Sequence, residues 1–300
     1  MIARLMVQRA GPLTSLQDEG RFGMLRHGIS ASGPMDRSAY FHAGALAGGG
    51  HGGVEFTTAG LELQMAEGAC RVGFAGADFL AMLNGVPLSW PGMADLTMGD
   101  RLSITPGRSG NYGYLRFDAD IEADPVMGSI ATSSRSRLGG PAGRALRAGD
   151  EIVLGPRAGR NVARVSPPAL LTGPIRVTWG IHADLFSTEV REKFVSAEFT
   201  ISPRLDRMGV WLNDAGGVLA GASGLSLVSD AIVAGDIQIL GDGTPIVLMR
   251  DHQPTGGYPR IATVTTADLD RFAQLRPGSS VAFRPVTVEH AHALLRGQGT

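Results

Sequence analysis

Short apolar runs, broken every few residues by glycine, proline or a charged pair, dominate this chain, which is the pattern of brief strands joined by turns. Strands are expected at 2–8, 70–75, 101–105, 111–117, 175–180, 236–240, 245–249, 260–264 and 280–284. The sharpest local signal is FLAMLNGVPLSW at 79–90, where Asn84-Gly85 can both take positive φ in a type I′ turn, making the flanks a hairpin. Helical spacing is confined to four stretches. MDRSAYFHAGALA at 35–47 places Met35, Ala39, Phe41, Ala43 and Leu46 roughly on one side, with Asp36 at the positive end of the dipole. HADLFSTEVREKF, TTADLDRFAQL and TVEHAHALL follow the same period, and Thr266 is the expected N-cap of the second of these. The chain therefore reads as mainly β with a few short helices.

Its 300 residues suit one large or two medium domains. Pro167-Pro168, after the arginine-rich GPRAGRNVARV, marks the expected boundary, because paired prolines end both helix and ladder. This gives an N-terminal unit at 1–166 and a C-terminal unit at 167–300. MGDRLSI, AGDEIVL and PGSSVAF each set glycine before a polar pair and a short strand. Such an echo arises by duplication or by the commonness of turn-to-strand units.

Composition narrows the chemistry. With 43% hydrophobic and 18% charged residues the chain is a folded one, and a net charge of -1 offers no electrostatic attraction for nucleic acid. Cys70, the only cysteine, forms no internal disulfide. No start resembling a signal peptide and no apolar run of roughly 20 residues is present, so a cytoplasmic protein without a membrane span is expected. Lys193 is the only lysine and stands in REKF, far from any glycine loop, which excludes a Walker-type ATP site in this chain. AGGGHGG and GGPAGR lack the strand, helix and following acid of a dinucleotide fingerprint. The histidines at 27, 42, 51, 182, 252, 290 and 292 show no zinc spacing, so no metal is expected. GISASG and GASGLS fall short of a serine nucleophile elbow.

Polar groups gather instead in short glycine-broken segments. LQDEGRFG and SGPMDRSA carry Gln17, Asp18, Arg21, Asp36 and Arg37; LDRMG carries Asp206 and Arg207; GDIQI carries Gln238; and MRDHQPTGGY closes the set. Each Asp/Arg pair can staple its own loop. Together they also offer planar forks for a carboxylate and a side-chain amide for a ureido or lactam group. In the last segment Thr255-Gly-Gly-Tyr258 reads as a ligand loop, with Gly257 needed for close backbone approach or for its dihedrals and the Tyr258 hydroxyl reaching the ligand.

The ordered string LTSLQDEGRFG, GISASGPMDRSA, GVEFTTAGLEL, GFAGADF, LNGVPL and GDRL, followed by GRAL, DRMG, DGTPIVLM, QPTGGYP and IATV, resembles the allophanate hydrolase subunit 2 family, over nearly the whole chain. The same family is also called KipA, or the C subunit of 5-oxoprolinase. The resemblance implies two cyclophilin-like β-barrel units and a module shared with biotin-dependent carboxyltransferases. It also implies a sister subunit of the allophanate hydrolase subunit 1 or KipI type, and leaves room for a LamB/YcsF-type protein beside it. By the same resemblance TGGYP lines a cleft where Asp251, Gln253, Thr255 and Tyr258 present polar groups; the candidate binding set is Gln17, Asp18, Arg21, Glu55, Arg144, Gln238, Thr255, Gly256, Gly257 and Tyr258, with Asp36, Asp251 and Arg207 as catalytic candidates. From their side-chain chemistry, Arg21 or Arg207 would hold a carboxylate, Gln238 a lactam amide, and Asp251 or Asp36 would act as base or orient water.

The implied activity is that of one component of an ATP-dependent 5-oxoprolinase converting 5-oxoproline to glutamate, with ATP bound through the complex and the isolated chain inactive. A carboxyltransferase drawing on carboxybiotin for a urea or amide substrate is the alternative, and a non-catalytic KipA-like regulator is a third. The chain departs from the family pattern in YLRFDAD at 114–120 where YLAVAGG is usual, in Trp211 for an arginine, and in Asp230-Ala231 for Glu-Gly.

Overall fold

In the first strand, Ala3–Ala10, Ala3, Leu5 and Val7 are buried while Arg4, Met6 and Gln8 alternate with them toward solvent, as one half-buried sheet face requires. The computed structural model describes residues 2–157, 172–222 and 226–298. The chain divides into two compact units, one of residues 1–22 with 31–169 and the other of 23–30 with 170–300. The expected boundary at Pro167-Pro168 lies outside the described residues.

The first unit is built from two antiparallel sheets. One has the spatial order Ala119–Ile121, Glu151–Arg157, Ala3–Ala10, Leu61–Glu67, Arg101–Pro106, Phe79–Leu83, Val86–Leu88. The other runs Ser15–Gln17, Gly53–Thr57, Tyr112–Phe117, Ala69–Gly76, Gly92–Thr97. Inward-facing Leu5, Leu63 and Ile104 of the first sheet share a core with Phe56, Phe74 and Leu115 of the other. Helix α1, Arg37–Ala47, packs on strands 69–76 and 112–117. The strand Tyr112–Phe117 is consequently buried at every position, which explains why it reads as a run rather than an alternation. Asn84 and Gly85 take φ of 52° and 83°, so the expected hairpin forms between Phe79–Leu83 and Val86–Leu88.

The second unit carries an eight-stranded sheet in the order Ser280–Val281, Phe199–Leu205, Gly209–Asn213, Pro245–Leu248, Asp236–Ile239, Arg260–Val264, Ile175–Trp179, Phe283–Pro285. Its two outermost members are consecutive in the chain, separated only by Ala282. One extended segment thus pairs with strand 199–205 at its start and, in parallel, with strand 175–179 at its end, nearly closing the sheet into a barrel. Phe194, on helix α2, Thr188–Ser196, stacks on Phe283 with centroids 5.1 Å apart and meets Phe199 at 5.7 Å. Helix α3, Thr266–Ala273, packs against helix α4, Val288–Gln298. Arg176, on strand 175–179, donates from Nε and Nη2 to the fully buried Asp268 of α3, tying that helix to the barrel.

The fold is mainly β, with four α-helices among the described residues, as the pattern predicts. Several boundaries move. Helix α1 begins at Arg37, leaving Met35 ahead of it and Asp36 as its N-cap, which accepts from Ala39 N–H at 2.9 Å. The stretch 182–194 splits into a 3-10 turn, Ala183–Leu185, and α2, whose N-cap Ser187 accepts from Val190 N–H. The N-cap position of α3 is Thr265, not Thr266, and it makes no side-chain cap bond. Strands at 53–57, 61–67, 199–205 and 209–213 are additional to those expected. Among the described residues no helix is long and apolar enough to cross a membrane.

Candidate functional site

In the second unit the return segment 251–258 crosses to the strands beneath it by a two-stranded ribbon, Asp230–Ala231 against Thr255–Gly256. The ribbon is extended by hydrogen bonds from Ile232 N–H to the Pro254 carbonyl and from Leu227 N–H to the Gly257 carbonyl. At the start of this segment Asp251 accepts from Arg207 Nε at 2.9 Å and Nη2 at 3.2 Å, and its own N–H donates to the Arg207 carbonyl at 2.7 Å. Both side chains are buried. His252 beside them is held below its usual pKa by burial, and its Nδ1 lies 2.6 Å from the Gln253 carbonyl.

Gln238 lies on strand 236–239, buried, with Nε2 donating to the Tyr258 carbonyl at 3.4 Å. A Cβ on Gly256 would come within 2.5 Å of that Nε2, so glycine at 256 is what lets the ribbon lie on the amide. The expectation for Gly257 changes accordingly. Its φ is outside the left-handed region, and a Cβ there would meet the Leu227 carbonyl oxygen at 2.9 Å, so the close approach at 257 is to the chain's own backbone. Thr255 is exposed and Tyr258 is 40% exposed. Arg260 stands opposite Gln238 across the sheet. Its Nη1 donates to the Ala231 carbonyl at 2.6 Å and its Nη2 to Asp230 at 2.7 Å, while Asp236 lies 3.5 Å from Nη1 and accepts from Thr263 Oγ1 at 2.7 Å. His182 accepts from Arg260 N–H at 3.4 Å; burial first and the arginine after it lower its pKa.

The candidates of the first unit form a different kind of assembly. Gln17 donates to Ser15 Oγ and the Thr132 carbonyl and accepts from Gly33 N–H. Asp18 accepts from Gly20 N–H, Ser129 Oγ and Ile130 N–H at 2.5–2.9 Å. Arg21 donates to the carbonyls of Val126, Ser129 and Ala131. Glu55 accepts from Met35 N–H and the Tyr114 hydroxyl, and Tyr114 in turn accepts from Asp36 N–H. Burial pushes the Tyr114 hydroxyl well above its usual pKa, with Glu55 and Asp36 adding to the effect. Arg144 grips Asp150 with both Nη atoms at 2.6 and 2.8 Å, far along the chain from this network. The thiol of Cys70 is raised to about 12 by burial, which makes it a poor nucleophile. Among the described residues no group of His, Cys, Asp and Glu gathers in a way that could hold a metal ion. Two surface clefts of the second unit, of about 270 and 340 Å³, are lined by none of the expected site residues.

Residues 27–285 match the family model of the carboxyltransferase domain, subdomain A and B. The chain belongs to this family. It is 32% identical over 287 residues to the C subunit of 5-oxoprolinase from Haemophilus influenzae, covering 94% of this chain and 91% of that protein. It is equally 32% identical over 291 residues to the C subunit of the Escherichia coli 5-oxoprolinase, covering 96% and 93%. Among solved structures it resembles the urea amidolyase of K. lactis with a TM-score of 0.88 and 27% identity over 99% of this chain, which spans only 19% of that one.

In this carboxyltransferase-domain chain the three departures have structural correlates. Arg116, within the altered YLRFDAD segment, is buried with its guanidinium 4.0 Å from the Tyr40 ring centroid and Nη2 on the Gly50 carbonyl; burial lowers its pKa. Trp211 lies under Arg204 at 4.7 Å, a cation–π contact. Asp230 is the carboxylate that Arg260 grips. Arg260, Asp236 and His182 are absent from the expected site because each looks, in sequence, like an ordinary strand or turn residue; only the strand register brings them beside Gln238.

Proposed function

We propose that this chain is the C-type subunit of a 5-oxoprolinase complex that converts 5-oxoproline to glutamate at the expense of ATP. The observation that carries the reading is the match to two 5-oxoprolinase C subunits across more than nine-tenths of both partners in each comparison. The polar set of the second unit supports it: Gln238 offers an amide to a lactam, the Thr255–Tyr258 segment covers it, and Asp251 is poised to orient water or accept a proton only if its bonds to Arg207 loosen. The buried bonds of Gln17, Asp18, Arg21, Glu55 and Asp36 favour a scaffolding task for the first unit, with Asp36 acting as helix cap.

ATP, which would activate the lactam by phosphorylation, does not fit this chain's own residues. Its one lysine, Lys193, is exposed on α2 and paired with Glu189 at 2.6 Å. On this reading the nucleotide is held by partner subunits, a KipI-type sister and a LamB/YcsF-type protein, in the cytoplasm. Co-expression with such partners, purification of the assembly and measurement of glutamate released from 5-oxoproline with and without ATP tests the proposal. Turnover is expected only from the assembly with ATP; separate elution of the subunits on gel filtration at micromolar concentration, or turnover by the isolated chain, contradicts it.

A different reading is favoured by the structural likeness to K. lactis urea amidolyase. In it the chain accepts carboxyl from carboxybiotin carried by a partner, and the same assembly would carboxylate urea or an amide when supplied with a biotinylated carrier. Ligand binding without turnover in any assembly would instead mark a KipA-like regulator.

A further inference from the structure

The two arginines expected to hold a ligand carboxylate are already engaged within the fold. Arg21 bonds to backbone carbonyls, and Arg207 meets both oxygens of Asp251 in a pair whose side chains are 6% and 3% exposed. Arg260 is placed differently. Its side chain is 7% exposed and stands opposite Gln238 in antiparallel register, so that both project from the same face of the sheet. A bulge between Ile237 and Gln238 re-aims the strand at this point.

Arg260 has two carboxylate neighbours and neither grips it with two bonds: Asp230 meets Nη2, and the buried Asp236 lies 3.5 Å from Nη1 on the other side of the guanidinium. A guanidinium grips a carboxylate best through two parallel N–H···O bonds. Asp230 meets the guanidinium through Oδ2 alone, on Nη2, while its Oδ1 accepts the Ala231 N–H at 2.7 Å. Arg260 Nε is buried with no hydrogen-bond partner among the described residues. Leaving such a donor unmade is costly. Asp230 itself is 52% exposed and rides on the two-residue ribbon, not on the barrel. Arg116, Arg191 and Arg271 share the buried Nε without a hydrogen-bond partner among the described residues. The guanidinium of Arg116 lies on the Tyr40 ring and on backbone carbonyls, Arg191 pairs with Asp184 on the exposed side of α2, and Arg271 pairs with Asp268 of α3, whereas Arg260 alone of these stands opposite Gln238.

We infer that Arg260 is the carboxylate-recognition residue of the second unit, that Asp230 occupies its outer edge in the free chain, and that a small lactam carboxylate displaces Asp230 to bond Nε and Nη2 together while its amide meets Gln238. This rests on the 5-oxoprolinase reading above. Asp230 is then a built-in competitor of the ligand, and the specificity it helps set is for a lactam that carries a carboxylate over one that does not.

The test uses the assembled complex, with 5-oxoproline as substrate and 2-pyrrolidinone, the same ring without the carboxylate, as competing inhibitor. Arg260→Lys keeps the charge and loses the fork. It is expected to raise KM for 5-oxoproline roughly 10- to 100-fold while leaving the inhibition constant of 2-pyrrolidinone unchanged. Asp230→Ala is expected to lower KM several-fold. A merely structural Arg260–Asp230 pair would instead lower thermal stability in both variants and move KM upward in both. Should Arg260→Lys not fold, Asp230→Ala on the exposed ribbon decides the matter alone, a raised or unchanged KM overturning the inference. No turnover by the wild-type complex overturns the functional reading and this inference with it; wild-type turnover with an unchanged KM in Arg260→Lys overturns this inference only.

Discussion

The polar residues of the two units are alike in sequence and differ in how they are used. In the first unit, Gln17, Asp18 and Arg21 direct hydrogen bonds to the backbone between Ser129 and Thr132, so the cluster fastens one loop to the sheet edge. In the other, the charged pairs Arg207–Asp251 and Arg260–Asp230 bond side chain to side chain, the second of them under a ribbon two residues wide. A carboxylate bound to backbone N–H groups has nowhere to go, because every group it leaves is a buried donor. A carboxylate bound to one corner of a guanidinium can be exchanged for another carboxylate. Buried polarity alone therefore does not separate an exchangeable contact from a fixed one; the kind of partner does.

The contrast can be broken most forcefully at Arg207. Replacing it by alanine strands the Asp251 charge in the interior, and a loss of about 3–5 kcal/mol is expected in denaturant unfolding of the full chain. A loss under about 1 kcal/mol would show that water reaches Asp251 and that the pair belongs with the exchangeable contacts. Next in size is Asp18→Ala, which leaves the N–H groups of Gly20 and Ile130 and the Ser129 hydroxyl without their acceptor, for about 3 kcal/mol. If Asp18 only fastens a loop, KM for 5-oxoproline in the assembled complex stays unchanged at a temperature where the variant is folded, and a raised KM moves the first unit into the site.

Gly256→Ala sharpens the same comparison from the other side. The added methyl would displace the Gln238 amide, so affinity is expected to fall at least tenfold while stability falls by about 1 kcal/mol. Equal proportional losses would make Gly256 a packing residue only. The smallest effect is expected for Tyr258→Phe: the ring is 40% exposed, so thermal stability holds, and affinity drops by up to roughly tenfold through one lost hydrogen bond of about 0.5–1.5 kcal/mol. Unchanged affinity in calorimetry would remove the Tyr258 hydroxyl from ligand contact.

Much of the architecture is legible in the sequence where local chemistry has one solution. Asn84-Gly85 admits few backbones other than a tight hairpin, and Asp36 ahead of an alanine-rich stretch admits few roles other than a cap. Strand 53–57 escapes notice because it buries Glu55, whose charge disguises an inward position until Met35 N–H and Tyr114 are seen bonding it. Strand 199–205 escapes because Pro203 interrupts it, and a bulge absorbs the interruption. The candidate site is legible in part. The Thr255–Tyr258 segment and Gln238 stand out, since polar residues crowd a turn there. Arg260, Asp230 and His182 do not, because contacts spanning 30 and 78 residues follow from register, which no local pattern encodes.

The sheet of the second unit is brought close to a closed barrel by one segment, residues 280–285, that pairs with both of its edges. During synthesis the strands from 175 to 264 emerge first and wait, as an open sheet with two unsatisfied margins, until residue 285 has cleared the ribosome. For that interval the nascent unit presents pairing edges to any neighbouring chain. Any delay in the emergence of 280–285 would prolong the period in which two nascent copies can exchange strands.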